Sequence, residues 1–156
     1  ERVEEFSDKK YEGENKNPMR VIADHLKAST LLIGSGVAPS NKAQGYVLRR
    51  LIRRAAVHSR IANIDLKVNL NFVLRGFGEV YESKYPTISQ NRGSFHNIIS
   101  EELSKFDKTL QEGMKMIGKV SSFDLFQTYG FPLEIIEELC SLYRILEKTS
   151  KGQCHK

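Results

Sequence analysis

Long apolar runs are missing from this chain, and the longest candidate, Ala28 to Val37, is broken by Ser29, Thr30, Gly34, Ser35 and Gly36. A membrane-crossing helix needs roughly 20 consecutive apolar residues, so no membrane partner is expected. Cysteine is scarce. Cys140 and Cys154 make no disulfide framework, and a reducing setting is the default for such a chain. Cys154 and His155 do not make a metal site either, because tetrahedral zinc needs four ligands and nothing nearby supplies the rest. The opening ERVEEFSDKKYEGENKNP is charged throughout and contains no secretory apolar segment. There is no glycine-rich phosphate loop at strand-to-helix spacing, no nucleophile elbow and no HExxH. A nucleophile, a base and an oxyanion donor cannot be assembled from these residues, so no catalytic residue is assigned. No stretch alternates with period two, and no internal repeat appears.

What remains is a set of helical patterns. With 156 residues, 40 % of them apolar and 28 % charged, the chain can bury a core as one domain or as two small subdomains. The reading is an all-α domain over 17–147 with about five to six helices, as one body or as two subdomains of about 17–88 and 89–147 joined by a long helix. Residues 1–16 read as a polar linker or the remnant of an upstream domain, and 148–156 as a frayed tail. Asn17 and Pro18 look like an N-cap and first-turn proline. They open a helix with Val21, Ile22, Leu26, Leu32 and Ile33 at helical spacing, ended by Gly34 and Gly36. A second helix is predicted from about Lys42 to Ser59. A third is predicted over Asn69 to Ser83, where Leu70, Phe72, Val73, Leu74, Phe77, Val80 and Tyr81 suggest burial and Tyr85-Pro86 closes the element.

The longest periodic run extends from about Gly93 to Ile117, with Ile99, Leu103, Phe106, Leu110, Met114 and Ile117 on one stripe. It reads as a core seam. Gly118 stops it, and Ser121 and Ser122 can cap a short helix through Phe123, Leu125, Phe126 and Tyr129, ended by Gly130. Pro132 then starts PLEIIEELCSLYRIL.

The second helix carries the most information. Taking Arg49 as zero and about 100° per residue, Arg53, Arg50 and Arg54 fall at roughly 40°, 100° and 140°, and Arg60 at roughly 20°. Val47, Leu48, Leu51, Ile52 and Ala55 occupy the opposite arc, so one face is packed and the other presents guanidinium groups. From Asn41 to Gly76 eight basic residues face a single acid, Asp65, a net +7 in a chain whose overall formal charge is +5. Segregation of this kind is the electrostatic footprint of a surface for a polyanion. Paired arginines also present forked donors to phosphates. The competing reading is a solvated basic face on a protein-interaction module, docking through the Ile99–Ile117 seam or through the Leu133–Leu146 helix.

RVIADHLKASTLLIGSGVAPSNKAQGYVLRRLIRRA from Arg20 to Ala55 and SSFDLFQTYGFPLEI from Ser121 to Ile135 resemble the tRNA-recognition region of alanyl-tRNA synthetase. EELSKFDKTLQEGMKMI, Glu101 to Ile117, looks like the long helix joining those blocks. The resemblance runs from about Arg20 to Leu139 with order and spacing maintained.

It implies recognition of a G·U wobble pair in the acceptor stem of alanine tRNA, read from the wide, shallow minor groove of A-form RNA. The guanine 2-amino group there calls for an acceptor oxygen. The family supplies one from an Asn in its PSN turn, matching Asn41, and another from an Asp in its LYDTYG block. At that second position this chain has Gln127, while Asp124 lies three residues earlier on nearly the same helical face, and the alternatives remain open. Lys42, Tyr46, Arg49, Arg50, Arg53, Arg54 and Arg60 would hold the RNA backbone, a division between positioning and specifying. Gln44 stands where the family usually has Arg before Gly-Tyr, removing one candidate phosphate contact.

By the same resemblance, the ATP, Mg and alanine site and the catalytic domain belong upstream, and editing and oligomerisation parts downstream. The chain alone is expected to hold no cofactor and to be inactive, in a cytoplasmic setting with an organellar one left open. Asp24 and His25, adjacent on a helix and about 100° apart, read as structural or RNA-facing rather than as a catalytic pair. His58 and His96 are isolated.

Overall fold

The computed structural model describes residues 2–7, 9–86, 90–117, 119–129, 131 and 135–137. Among them there are helices and connecting turns and no strand. The elements are α1 (Arg2–Ser7), a 3-10 turn (Gly13–Asn15), α2 (Lys16–Gly34), α3 (Ala43–Ile61), α4 (Leu66–Tyr81), α5 (Arg92–Met116) and α6 (Ser122–Tyr129). The all-α reading therefore holds. The chain forms two compact units, Glu1–Lys105 and Phe106–Lys156. The division falls inside the long helix, not near residue 88.

The first unit is built on the packed pair α2 and α3. Met19, Ile22, Leu26, Ile33, Leu48, Ile52, Ala55 and Val57 are buried in it. On α2 the apolar stripe passes through Ser29 and Thr30, which are also buried. Their hydroxyls donate back to the carbonyls of His25 and Lys27, each at 2.7 Å, so the helix satisfies them itself.

Helix ends in this unit are set by single residues. At the end of α2, Gly36 takes φ +84°. Val37 N–H donates to the Leu32 carbonyl (3.1 Å) and Gly36 N–H to that of Ile33 (2.9 Å), the paired bonds of a Schellman ending. At the end of α3, Asn63 repeats the pattern at φ +52°, with Ile64 N–H on Ser59 (2.7 Å) and Asn63 N–H on Arg60 (3.0 Å). Asp65 immediately caps α4, its carboxylate accepting from Lys67 and Val68 N–H at 3.1 Å each. Two turns of the chain thus run from α3 into α4 with few loose backbone groups.

Several sequence expectations change. Residues 1–16, read as a linker, hold α1 and the 3-10 turn; Val3 is buried and α1 packs against α4. The cap of α2 is Asn15, two residues before Asn17, because the 3-10 turn leads directly into the helix. Val47 is half exposed at 49 %, although the helical wheel put it on the packed arc of α3. On α4, Leu70, Val73 and Leu74 are buried as expected, but Phe72 (44 %) and Val80 (68 %) face outward; Phe72 lies under the Arg75 guanidinium at 5.0 Å.

In the second unit, Phe106 and Phe131 meet edge to face, ring centroids 5.6 Å apart at 66°. A Cβ at Gly113 would collide with the Phe131 ring, so the absence of a side chain on α5 admits it. Leu110, Ile117, Leu125, Ile135 and Ile136 complete the buried set among the described residues. Ile99, Leu103, Phe106, Leu110 and Ile117 are all buried, so the long seam is core and not a docking face. The Met114 side chain, Gly118, Gly130, Cys140, Cys154, His155, the tail and all of the expected last helix except 135–137 lie outside the described residues.

Candidate nucleic-acid interface

The Pro-Ser-Asn turn ahead of α3 is tied to the first turn of that helix by the backbone. Ser40 N–H donates to the Gly45 carbonyl at 3.1 Å, and Tyr46 N–H to that of Lys42 at 3.1 Å. The Ser40 hydroxyl bridges Lys42, donating to its carbonyl (3.0 Å) and accepting from its N–H (3.3 Å). The approach is so close that a Cβ on Gly45 would overlap the Ser40 side chain and the Ala38 carbonyl. Ala43, at the first position of α3, takes φ +47°, a conformation that disfavours a side chain and that the surrounding hydrogen bonds impose. The turn is therefore a fixed mount. Asn41 projects from it, exposed to solvent.

Asn41 is also held through its side chain, with the Arg49 Nη1 group donating to its Oδ1. The Nε of the same guanidinium forms an ion pair with Glu102 Oε1 at 3.3 Å. Arg53 Nε donates to that same Oε1 at 2.9 Å. Glu102, on α5, is 3 % exposed, whereas the two arginines are 23 % and 20 % exposed. A carboxylate so buried is sustainable only with compensating charge and hydrogen bonds. Here two guanidiniums face one carboxylate.

The expectation that four guanidiniums face outward is accordingly corrected for Arg49 and Arg53, whose side chains turn to an internal carboxylate. Arg50 and Arg54 are half-buried, and Arg60, Lys42 and Gln44 are exposed. Tyr46 is 41 % exposed on the same end of α3 as Asn41. The structure thus gathers Asn41, Lys42, Tyr46 and Arg49 at the start of the helix, with Arg50, Arg53, Arg54 and Arg60 further along it. Asp24 is exposed, His25 and His96 are half-buried, and His58 is buried within α3.

In the second unit, Asp124 has a local task. Its Oδ2 accepts from the Ser121 hydroxyl at 2.6 Å and from Ser121 N–H at 3.3 Å, while Ser121 Oγ accepts from Asp124 N–H at 3.1 Å. This reciprocal arrangement is a capping box at the start of α6, with Asp in place of the usual Glu. Gln127 lies one turn on, exposed, its side chain making no hydrogen bond to a described residue. Of the two alternatives, Asp124 is the one whose carboxylate is engaged in capping a helix.

Glu102 was not legible as a functional residue in the sequence. Its one available signal was its place on the seam, next to Leu103 and three positions after Ile99, where a carboxylate must find a cation. No helix among the described residues is long and apolar enough to cross a membrane.

Comparison with known proteins agrees with the motifs. The family model of tRNA synthetases class II (A) matches residues 1–149. An alanine–tRNA ligase of Pediococcus pentosaceus is 38 % identical over 160 residues, covering 89 % of this chain and 18 % of the relative. Those of Streptococcus pyogenes serotype M6 (37 %) and Lactiplantibacillus plantarum (34 %) each cover 88 % of the chain and 17 % and 18 % of their own lengths. The chain thus spans less than a fifth of the relatives it matches. From the match over nearly its whole length, the chain belongs to the tRNA synthetases class II (A), the alanyl-tRNA synthetase family.

Proposed function

We propose that the first unit is a binding surface for the acceptor stem of alanine tRNA, in which Asn41 reads a G·U pair from the minor groove and the outer basic residues of α3 hold the backbone. The observation that carries this reading is the immobilised, exposed Asn41 at the head of a helix lying in a segment of net charge +7. A carboxamide oxygen has two lone pairs. With Arg49 donating to one, the other is available for the guanine 2-amino group, which in a wobble pair lacks its usual partner. The Arg49 charge polarises the amide without competing as an acceptor.

Backbone contacts fall to Lys42, Tyr46, Arg50, Arg54 and Arg60, with Arg49 and Arg53 adding positive potential from behind. This division separates affinity from specificity, as in other nucleic-acid interfaces. Gln127 in the second unit offers a further acceptor without charge, and Asp124 serves α6. In the complete ligase the stem would be presented to a catalytic domain that uses ATP and Mg to attach alanine, and the present chain by itself would bind without catalysing.

Asn41→Ala tests the base contact. Loss of it should narrow the affinity difference between matched G·U and G·C hairpins by about 1–3 kcal/mol, measured by fluorescence anisotropy. Equal weakening on both hairpins would assign Asn41 to the backbone or to the turn.

A further inference from the structure

Resting on the base-reading role of Asn41, we infer that Glu102 is a specificity-positioning residue, acting through Arg49 to aim the Asn41 carboxamide. The relay has two links: an ion pair from Glu102 Oε1 to Arg49 Nε at 3.3 Å, in which the Nε–H is not aligned as a hydrogen bond, and the hydrogen bond that Arg49 Nη1 donates to Asn41 Oδ1. Each link removes a freedom. The Pro-Ser-Asn turn fixes the Asn41 backbone, but its side chain still has two rotatable bonds and an amide that can present either oxygen or nitrogen. A guanidinium donates and never accepts, so Arg49 selects the oxygen as the group it holds.

Arg49 itself ends a long flexible stem and needs an anchor. Buried Glu102 provides one, and its second partner, Arg53 at 2.9 Å, keeps that carboxylate oriented. Arg53 also keeps the buried charge compensated when Arg49 is replaced. Glu102 is 3 % exposed and so out of reach of RNA. Any effect it has on base discrimination is transmitted.

The test compares hairpin affinities of the whole chain carrying Arg49→Lys, Glu102→Gln or Asn41→Ala, singly and with Asn41→Ala added to each. Circular dichroism melts report folding. Arg49→Lys preserves charge and leaves Glu102 paired with Arg53, but an ammonium cannot hold both Glu102 and Asn41 in one plane. The expected result is that Arg49→Lys and Glu102→Gln each lower the G·U to G·C affinity ratio by about five- to 150-fold, as Asn41→Ala does. Combined with Asn41→Ala, they should add no further loss of that ratio.

Equal weakening on both hairpins, with the ratio intact, would make the cluster a structural or backbone-binding feature and overturn the inference. So would ratio losses that add to those of Asn41→Ala. An Asn41→Ala ratio equal to wild type, or no binding of either hairpin, would instead overturn the underlying reading, and the inference with it.

Discussion

The two units solve their packing in different currencies. Around α3 the first unit buries a carboxylate and closes two arginines on it, whereas among the described residues the second unit is held by aromatic and aliphatic contacts around Phe131. Apolar packing tolerates neighbours of similar volume and specifies orientation loosely. A charged cluster is costly to bury and ties particular partners together, because removing one member leaves the others uncompensated. The polar arrangement occurs where a side chain must be aimed, beneath Asn41. The apolar arrangement occurs where Phe131 has only to fill space.

That contrast can be broken at its strongest points. Glu102→Ala leaves two arginines facing an emptied site and should cost about 3–5 kcal/mol by urea unfolding, together with loss of base discrimination. Phe131→Ala should cost a similar amount, about 3–5 kcal/mol, from lost burial and cavity formation, and its effect should be independent of salt. A Glu102→Ala cost that matched it in salt independence and left discrimination intact would remove the distinction between the units.

The glycines sharpen the comparison at smaller magnitude. Gly45→Ala and Gly113→Ala both insert a methyl group into occupied space, against Ser40 and Ala38 in one unit and the Phe131 ring in the other. Each should destabilise by about 1–3 kcal/mol. Only Gly45→Ala should also weaken G·U preference, since it displaces the turn that bears Asn41; anisotropy on the two hairpins separates these outcomes.

The smallest effect is expected at Glu101, the exposed neighbour of Glu102. The side-chain hydrogen bond from Lys105, at 2.6 Å, and then the Lys105 charge hold its carboxyl below the usual carboxylate range. A carboxyl lowered in the folded state stabilises above its unfolded pKa, and that contribution is lost as pH falls through the folded value. Because the pair is exposed, Glu101→Gln should leave urea midpoints at neutral pH nearly unchanged and slightly flatten their decline in acid. A large loss at neutral pH would show that exposed charge on α5 matters as much as the buried charge beside it.

Legibility in the sequence followed the range of the interaction. The basic helix, predicted over Lys42 to Ser59 and observed over Ala43–Ile61, was readable because helical periodicity is local. So was the short helix after Ser121, announced by its capping residues. Phe72 and Val80 were misplaced because periodicity finds a face without saying how wide it is, and the buried stripe of α4 is narrowed to Leu66, Leu70, Val73 and Leu74 beside Gly76 and Gly78. Helix α1 was hidden by its charges, although Val3 in it is buried.

The candidate site was half visible. Asn41 and the arginines stood out by motif and by charge segregation. The partner of Arg49 and Arg53 lies 49 residues beyond Arg53, and nothing in a local pattern ties a single glutamate to a cation so distant in the chain. For the same reason the sequence could not show that Arg49 and Arg53 turn inward: the helical wheel places them on the basic arc, and a carboxylate from a distant helix decides their direction.

The most direct test of the account is the salt dependence of hairpin binding. If Lys42, Arg50, Arg54 and Arg60 neutralise about four phosphates, the logarithm of the association constant should fall against that of salt with a slope of about −2.8 to −3.6, which is roughly 50- to 150-fold between 50 and 200 mM. Affinity that stays level across that range would contradict a basic surface that grips an RNA stem.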